Sequence, residues 1–312
     1  MSIKSTLKML YSGIRCTFSN AACLRKGQAN NYAIYQSAHR LEKGLCIRAP
    51  RDYWGYDKAA GLARQIDIES HSKHSDKQAI SIGVSVLNEY IKAKKATNNE
   101  KELSKVKELE EQIKKYKIKM DITGYGGALE FFKAEILPDS VCAEKLFLSR
   151  HSVRDFDDSH IDDAKLRKAV ELALRAPSAC NRQASQIYVI SGEDRINAGS
   201  GNEYRADKYL IITGNKRAFS MSEMNDWIVS TSIFCGYLSL ALHAEGIGSC
   251  IFRKETVRKS KYNDAVRKIC NIPDDEQIIL EMAIGNYKNE FNAPKSYRRN
   301  VKDILHFSGS LK

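Results

Sequence analysis

Between Pro50 and Pro138 the chain contains no proline. This constrains the fold more than any other feature. Proline lacks the N–H that a helix interior needs and clashes with the preceding turn, so a long stretch without it can run helix after helix. Within the stretch, NNEKELSKVKELEEQIKKYKIKM (98–120) repeats Leu103, Val106, Leu109, Ile113, Tyr116 and Met120 at spacings of three and four, which places them on one stripe. Glu110–Lys114 and Glu111–Lys115 have the spacing of favourable i,i+4 pairs. The repeat is too short for a coiled coil, so the expectation is a two-helix hairpin packed on the body. Further helices are expected at 57–70 and 76–95. Another is expected at 31–45, where Tyr32, Tyr35, His39 and Glu42 share a face and Gly44 reads as the stop.

After Pro138 the pattern changes. Asp139 or Ser140 can cap a helix ending near Ser149. Helices are then expected at 162–177, 223–245 and 264–273, the first carrying Leu166, Ala169, Val170, Ala173 and Leu174 on one stripe and ending at Pro177, the last closed by Pro273. Strands are expected at 185–191, 208–214, 248–253 and 276–287. The organisation is therefore a helical N-terminal extension over 1–138 and a second domain over 139–312. The apolar run 227–244 has nearly the length of a membrane span. It contains serines, a threonine and His243, and no second segment could pair with it in a bilayer. A helix buried in a globular core fits better, and no transmembrane segment is expected.

The net charge of +12 suggests anionic partners, and most of the surplus lies in the N-terminal part. No basic stripe is interleaved with aromatics, so nucleic acid ranks last among the candidates. The eight cysteines form no Cys-x-x-Cys pair and no zinc-ligand spacing, which points to a reducing cytoplasm and no metal site. The basic N-terminus lacks the apolar core of a signal peptide.

Four stretches could carry chemistry. In SRHSVRDF (149–156), Arg150, Ser152 and Arg154 alternate, and in an extended chain they can converge on one anion, guanidinium forks being suited to phosphate oxygens. The other outcome is a surface pairing of Arg154 with Asp155, Asp157 or Asp158. In RAPSACNRQASQIYVI (175–190), Asn181 and Gln183 offer paired donors and acceptors for the edge of a planar heterocycle, or they are polar filler in an ordinary loop. In AEGIGSCIF (244–252), Gly246 and Gly248 permit a tight turn and close backbone approach to a flat ligand, without the third glycine of a dinucleotide fingerprint. In PKSYRRNVKDIL (294–305), Lys295, Arg298 and Arg299 form either a basic cluster for an anion or a solvated tail.

The order R-x-S-x-R-x-F, APSA-x-NRQ, G-x-GSC and a terminal RR before VKDIL resembles the FMN-dependent nitroreductase family over about residues 140–306. The resemblance implies an α+β fold, a central mostly antiparallel sheet wrapped by helices, and an obligate homodimer with FMN at the interface. It implies that Arg150, His151, Ser152 and Arg154 face the phosphate, ribityl chain and pyrimidine side. Pro177, Ser178, Asn181 and Gln183 match the loop against the ring, reached from the other subunit. Ile247 and Gly248 match the backbone turn beside the flavin, and Arg298 and Arg299 match phosphate ligands. NAD(P)H is the implied donor and a small conjugated acceptor the implied oxidant, in ping-pong order. No side chain is compelled to act as an acid or base, so no catalytic residue is assigned; His39 is the first candidate to cover the flavin.

Departures accompany the match. Cys180 stands where the family usually has glycine, either packing or narrowing the pocket; Ala184 stands near a usual proline. The segment between the strands at 185–191 and 208–214 is short, which would reduce the family's lid. AHRLEKGL (38–45) resembles a feature of longer members found with polysaccharide-biosynthesis genes. The alternatives are therefore a general NAD(P)H oxidoreductase, a dedicated biosynthetic flavoprotein whose N-terminal part recognises the substrate, and, last, a non-enzymatic basic binding protein.

Overall fold

The computed structural model describes residues 14, 30–46, 54–73, 75–97, 100–117, 124–129, 140–202, 204–252, 260–294, 296 and 298–307. Outside them lie the boundary expected near 138, the Asp139 cap, Met120 of the helical stripe, Lys295, Cys16, Cys23 and most of the basic N-terminus.

The described residues of the N-terminal part include the helices α1 (Asn31–Leu45), α2 (Tyr56–Ser70), α3 (Lys77–Ala96) and α4 (Glu100–Lys117). Asn30 and Asp76 cap α1 and α3, accepting from the amides of Tyr32 and Ala79. The helices close around Ile34, Leu41, Leu62, Ile66, Val84, Leu87, Leu109 and Ile113, a core of their own. At side-chain sizes like these each burial is worth about 1.5–3 kcal/mol. The expected hairpin is α3 with α4, and Val106, Leu109 and Ile113 of the stripe are buried. Lys94 and Glu102 join the two arms as a buried ion pair at 2.9 Å, with the ammonium 5.1 Å above the Trp54 ring. The charges expected to pair along α4 instead reach between helices: Glu110 meets Lys95 at 2.6 Å and Lys115 meets Asp67 at 2.7 Å, while Glu111 pairs with Lys114. Gly44 is not a stop. It lies within the last turn of α1, where any Cβ would strike the ring of Trp54.

The C-terminal part opens with α5 (Ser140–Ser149) and α6 (Asp163–Ala173), then alternates β1 (Ser185–Ser191), α7 (Gly192–Asn197), β2 (Lys208–Asn215), α8 (Asp226–Ala244), β3 (Ile247–Phe252), α9 (Lys261–Cys270) and β4 (Glu276–Asn286). The strands form one antiparallel sheet in the order β1-β2-β4-β3. The class is α+β, as the resemblance implies. β2 is central and covered on both faces, and successive residues serve opposite layers. Leu210 and Ile212 face α6 and α8, while Tyr209 and Ile211 face α9.

Four expectations are corrected. α6 ends at Ala173, before Pro177, and Leu174 is 54% exposed rather than part of the stripe. α9 ends at Cys270, because Asn271 adopts the left-handed conformation (φ 52°) and caps it; Pro273 comes later. α7 was not foreseen, although Ser191 and Asp194 form a reciprocal capping box at its start. Finally, α8 is long and apolar enough by composition to cross a membrane, yet only one side of it packs on the sheet and α6. Val229, Ile233 and Tyr237 point outward at 55%, 39% and 43% exposure. Its residues are apolar all round, so periodicity could not reveal which side stays uncovered.

Candidate functional site

The segment after α5 runs extended beside β3. Ser152 bridges Ser249 in parallel and the Val153 amide donates to the Ser249 carbonyl at 2.9 Å. Phe156 bridges Tyr287 and lies over Gly285, where an added Cβ would stand 2.6 Å from its ring. The first and third motifs are thereby brought together: Arg150, Ser152 and Arg154 lie alongside Ile247 and Gly248. Gly246 makes the turn with φ 75°, and Ile247 and Gly248 are buried in β3.

A relay holds the start of this segment. Ser149 Oγ donates to the Lys145 carbonyl at 2.7 Å, so it accepts from His243 Nε2 at 2.7 Å, and His243 Nδ1 accepts from the Tyr287 hydroxyl at 2.8 Å. Burial, together with the positive charges of Arg150 and His151, pushes the His243 pKa down and keeps the ring neutral at neutral pH. Burial raises the Cys250 thiol, opposed by Arg154 and Arg150. Both guanidinium groups thus lie close enough to β3 to act on the Cys250 thiol. His151 is exposed and turns its Nδ1 to the Ser149 carbonyl at 2.9 Å.

Three arginines are held by carboxylates, while others, Arg64, Arg167, Arg175 and Arg205 among them, show no ion pair among the described residues. Arg182, Arg195 and Arg217 meet Glu223, Glu281 and Asp275. Among the described residues Arg150, Arg154, Arg298 and Arg299 have no carboxylate partner. The alternative pairing of Arg154 with Asp155 is not found: Asp155 meets Lys288 at 2.5 Å, and Arg154 reaches only the Ser152 carbonyl. Unpaired guanidinium groups beside a glycine turn fit a phosphorylated planar ligand such as FMN.

The second motif is a strained turn. Ser178 begins a 3-10 turn over Ala179–Asn181, and Cys180, Asn181 and Gln183 all adopt left-handed φ near 50°. For non-glycine residues that costs roughly 1–2 kcal/mol each, and it persists only where the surroundings enforce it. The Gln183 amide donates to Ser178 Oγ at 3.1 Å and the Ala179 amide to Ser230 Oγ at 3.4 Å. Pro177, Ser178, Gln183, Ser185, Ser230 and Phe234 line a shallow pocket against α8. No hydrogen bond or ion pair among the described residues joins this loop to Arg150 or Arg154 within one chain. Arg298 and Arg299 likewise reach only the Ser296 and Asp303 carbonyls beside them. His39 pairs with Glu42 at 3.3 Å, and Glu42 also accepts from the Gly127 amide at 3.3 Å.

Sequence reasoning missed Arg182, Glu223, His243 and Tyr287. Arg182 stood inside a quoted motif, but nothing in its spacing tells a buried arginine from a solvated one. The partners of His243 are 94 and 44 residues away.

Residues 148–223 match the nitroreductase family model. The chain is 24% identical over 170 residues to a protein of Archaeoglobus fulgidus provisionally described as an NADH dehydrogenase/NAD(P)H nitroreductase, covering 52% of this chain and 95% of that one. It is 21% identical over 204 residues to MhqN of Bacillus subtilis, provisionally described as an NAD(P)H nitroreductase, covering 51% and 95%. Among solved structures, an FMN-dependent nitroreductase from Clostridium difficile R20291 superposes with TM-score 0.42 and 25% identity over 53% of this chain and 98% of that one.

Proposed function

We propose that the C-terminal part of this chain is a nitroreductase-family domain and, from that premise, that the protein is an FMN-dependent oxidoreductase. It draws electrons from NAD(P)H and delivers them to a small conjugated acceptor such as a nitroaromatic or a quinone. The single observation that carries this reading is the unpaired Arg150 and Arg154 beside the Gly246–Gly248 turn. Bound FMN would supply the redox chemistry, taking two electrons from the nicotinamide and passing them to the acceptor that replaces it. The protein's own residues bind and orient. Arg150, Arg154 and one of Arg298 and Arg299 hold the anion, Ser152 and Gly248 line the backbone floor, and Asn181 and Gln183 meet the ring edge.

The site is shared between two copies. α5 has no buried residue, and Val141, Phe147 and Leu148 are 72%, 65% and 70% exposed. α5 touches α8, whose Val229, Ile233 and Tyr237 are also exposed, as are Val301, Ile304 and Phe307. An apolar surface of this extent is what a homodimer buries, and a second copy brings the 177–183 loop toward Arg150. The reading places the protein in the cytoplasm; the six cysteines described are all free thiols.

A second reading, a dedicated biosynthetic flavoprotein, is favoured by one observation: α1 of the N-terminal bundle packs on the 179–181 turn, so the bundle borders the pocket where a substrate would enter. The test is direct. The full chain is mixed with FMN and freed of excess. Retained flavin absorption that bleaches on adding NADH or NADPH and returns with a quinone supports the proposal; a colourless protein overturns it. Faster quinone turnover after removal of residues 1–138 separates the second reading from the first, provided the shortened chain stays folded by circular dichroism.

A further inference from the structure

The 177–183 loop is held in its left-handed form by something outside itself. Of Cys180, Asn181, Arg182 and Gln183, only Arg182 has right-handed backbone (φ −74°), and its side chain is 1% exposed. The guanidinium lies 5.0 Å over the Phe219 ring. Its Nη2 donates to Glu223 at 2.7 Å and to the side-chain carbonyl of Gln36 on α1, with the Gln36 amide turned so that its oxygen faces both Arg182 and Arg40, the latter at 3.0 Å. Arg182 Nε and Nη1 are shut off from solvent and have no hydrogen-bond partner among the described residues. The side chain is thus seated by stacking and by one corner of its fork, half of that corner belonging to the N-terminal bundle. Two further residues of the same helix region dock nearby. Asn30 donates to the Arg217 carbonyl at 3.2 Å, and Tyr32 packs with Ala179, Ala184 and Phe219.

We propose that Arg182 is a positioning residue through which α1 of the N-terminal bundle holds the 177–183 loop in its binding form, so that the bundle sets how firmly Asn181 and Gln183 grip a flavin. The loop part stands on contacts alone; the flavin part rests on the function proposed above. The extension would then be a working part of the cofactor site rather than an appended module. Lysine cannot replace Arg182, because an ammonium has no planar fork to lie on Phe219 while reaching two acceptors.

Two measurements on the full chain decide the matter. Amide hydrogen exchange of residues 178–184 is followed in cofactor-free protein, and FMN affinity by quenching of flavin fluorescence, for Gln36→Ala, Arg182→Lys and the exposed control Lys92→Ala. Loss of the clasp should speed loop exchange about tenfold in both clasp variants and leave the α4 amides and the control unchanged. FMN affinity should fall about tenfold for Arg182→Lys and about threefold for Gln36→Ala. Wild-type loop exchange in both variants overturns the proposal. Faster exchange with unaltered FMN affinity overturns the claim that the bundle sets the grip. A wild-type chain that takes up no FMN overturns the flavin reading and that half of the proposal, while loop exchange still decides the other half. If Arg182→Lys does not fold, Gln36→Ala probes the same contact from the partly exposed side.

Discussion

The two halves of the molecule differ in how completely they satisfy themselves. The N-terminal bundle closes its own core, and the buried Lys94 meets its counter-charge Glu102 between two helices. The C-terminal body leaves Arg150 and Arg154 without a carboxylate, presents all of α5 to solvent and exposes one side of α8. Both halves carry ion pairs, but the uncovered apolar faces of α5 and α8 lie in the second half, where the proposed ligand and second subunit would bind. The halves meet where α1 covers Arg182.

That contrast can be broken at several points. The largest effect is expected at the uncovered face. Leu148→Lys places a charge where the second copy should sit, and should raise the dimer dissociation constant roughly a thousandfold, about 4 kcal/mol. Sedimentation equilibrium measures it, and a dimer mass unchanged from wild type would move the interface away from Leu148. Within the closed half, Leu109→Ala should cost about 3 kcal/mol by urea denaturation, because the bundle cannot collapse around the lost volume. A much smaller loss would mean that its core is looser than the burial indicates. Arg150→Ala should weaken FMN binding about tenfold to thirtyfold, one charge-assisted contact, with thermal stability unchanged since no ion pair is broken. Equal affinity would reassign Arg150 to the surface.

The smallest effect concerns acid. Burial alone would raise the Glu223 carboxyl, but hydrogen bonds from Arg182 and Ser220 outweigh it and hold the pKa at about 2. A depressed carboxylate contributes stability above its unfolded pKa, about 4.3, and loses it as pH falls toward 2. Protection of the 178–184 amides, taken as exchange relative to the intrinsic rate at each pH, should therefore fall between about pH 4.5 and 2 in the wild type. In Glu223→Gln it should already be lower at pH 7 and lack that acid step. An identical pH profile in the two proteins would detach Glu223 from the clasp.

Much of this was legible in the sequence because it depended on neighbours in the chain. The stripe Val106, Leu109, Ile113 announced α4, and the apolar runs at 208–214 and 276–287 announced β2 and β4 within a residue of their ends. R-x-S-x-R-x-F and G-x-GSC were picked out separately, and they do lie side by side through the Ser152–Ser249 bridge. Illegible were the pairings that depend on distance through space. Glu110 and Lys115 were expected to pair along their own helix and instead reach α3 and α2, because an antiparallel neighbour offers an opposite charge at equal range. Leu174 looked like core until α6 ended a residue early.

By itself, then, the sequence determined where helices and strands run and which short stretches are rich in anion-binding and ring-edge groups. Those properties follow from backbone sterics and side-chain chemistry acting over a few residues. Only the tertiary structure decided which arginines are paired and which remain open, which side of α8 is covered, and that α1 leans on Arg182. Each of these depends on what another segment of the chain brings to within a few ångströms, and local spacing carries no record of that.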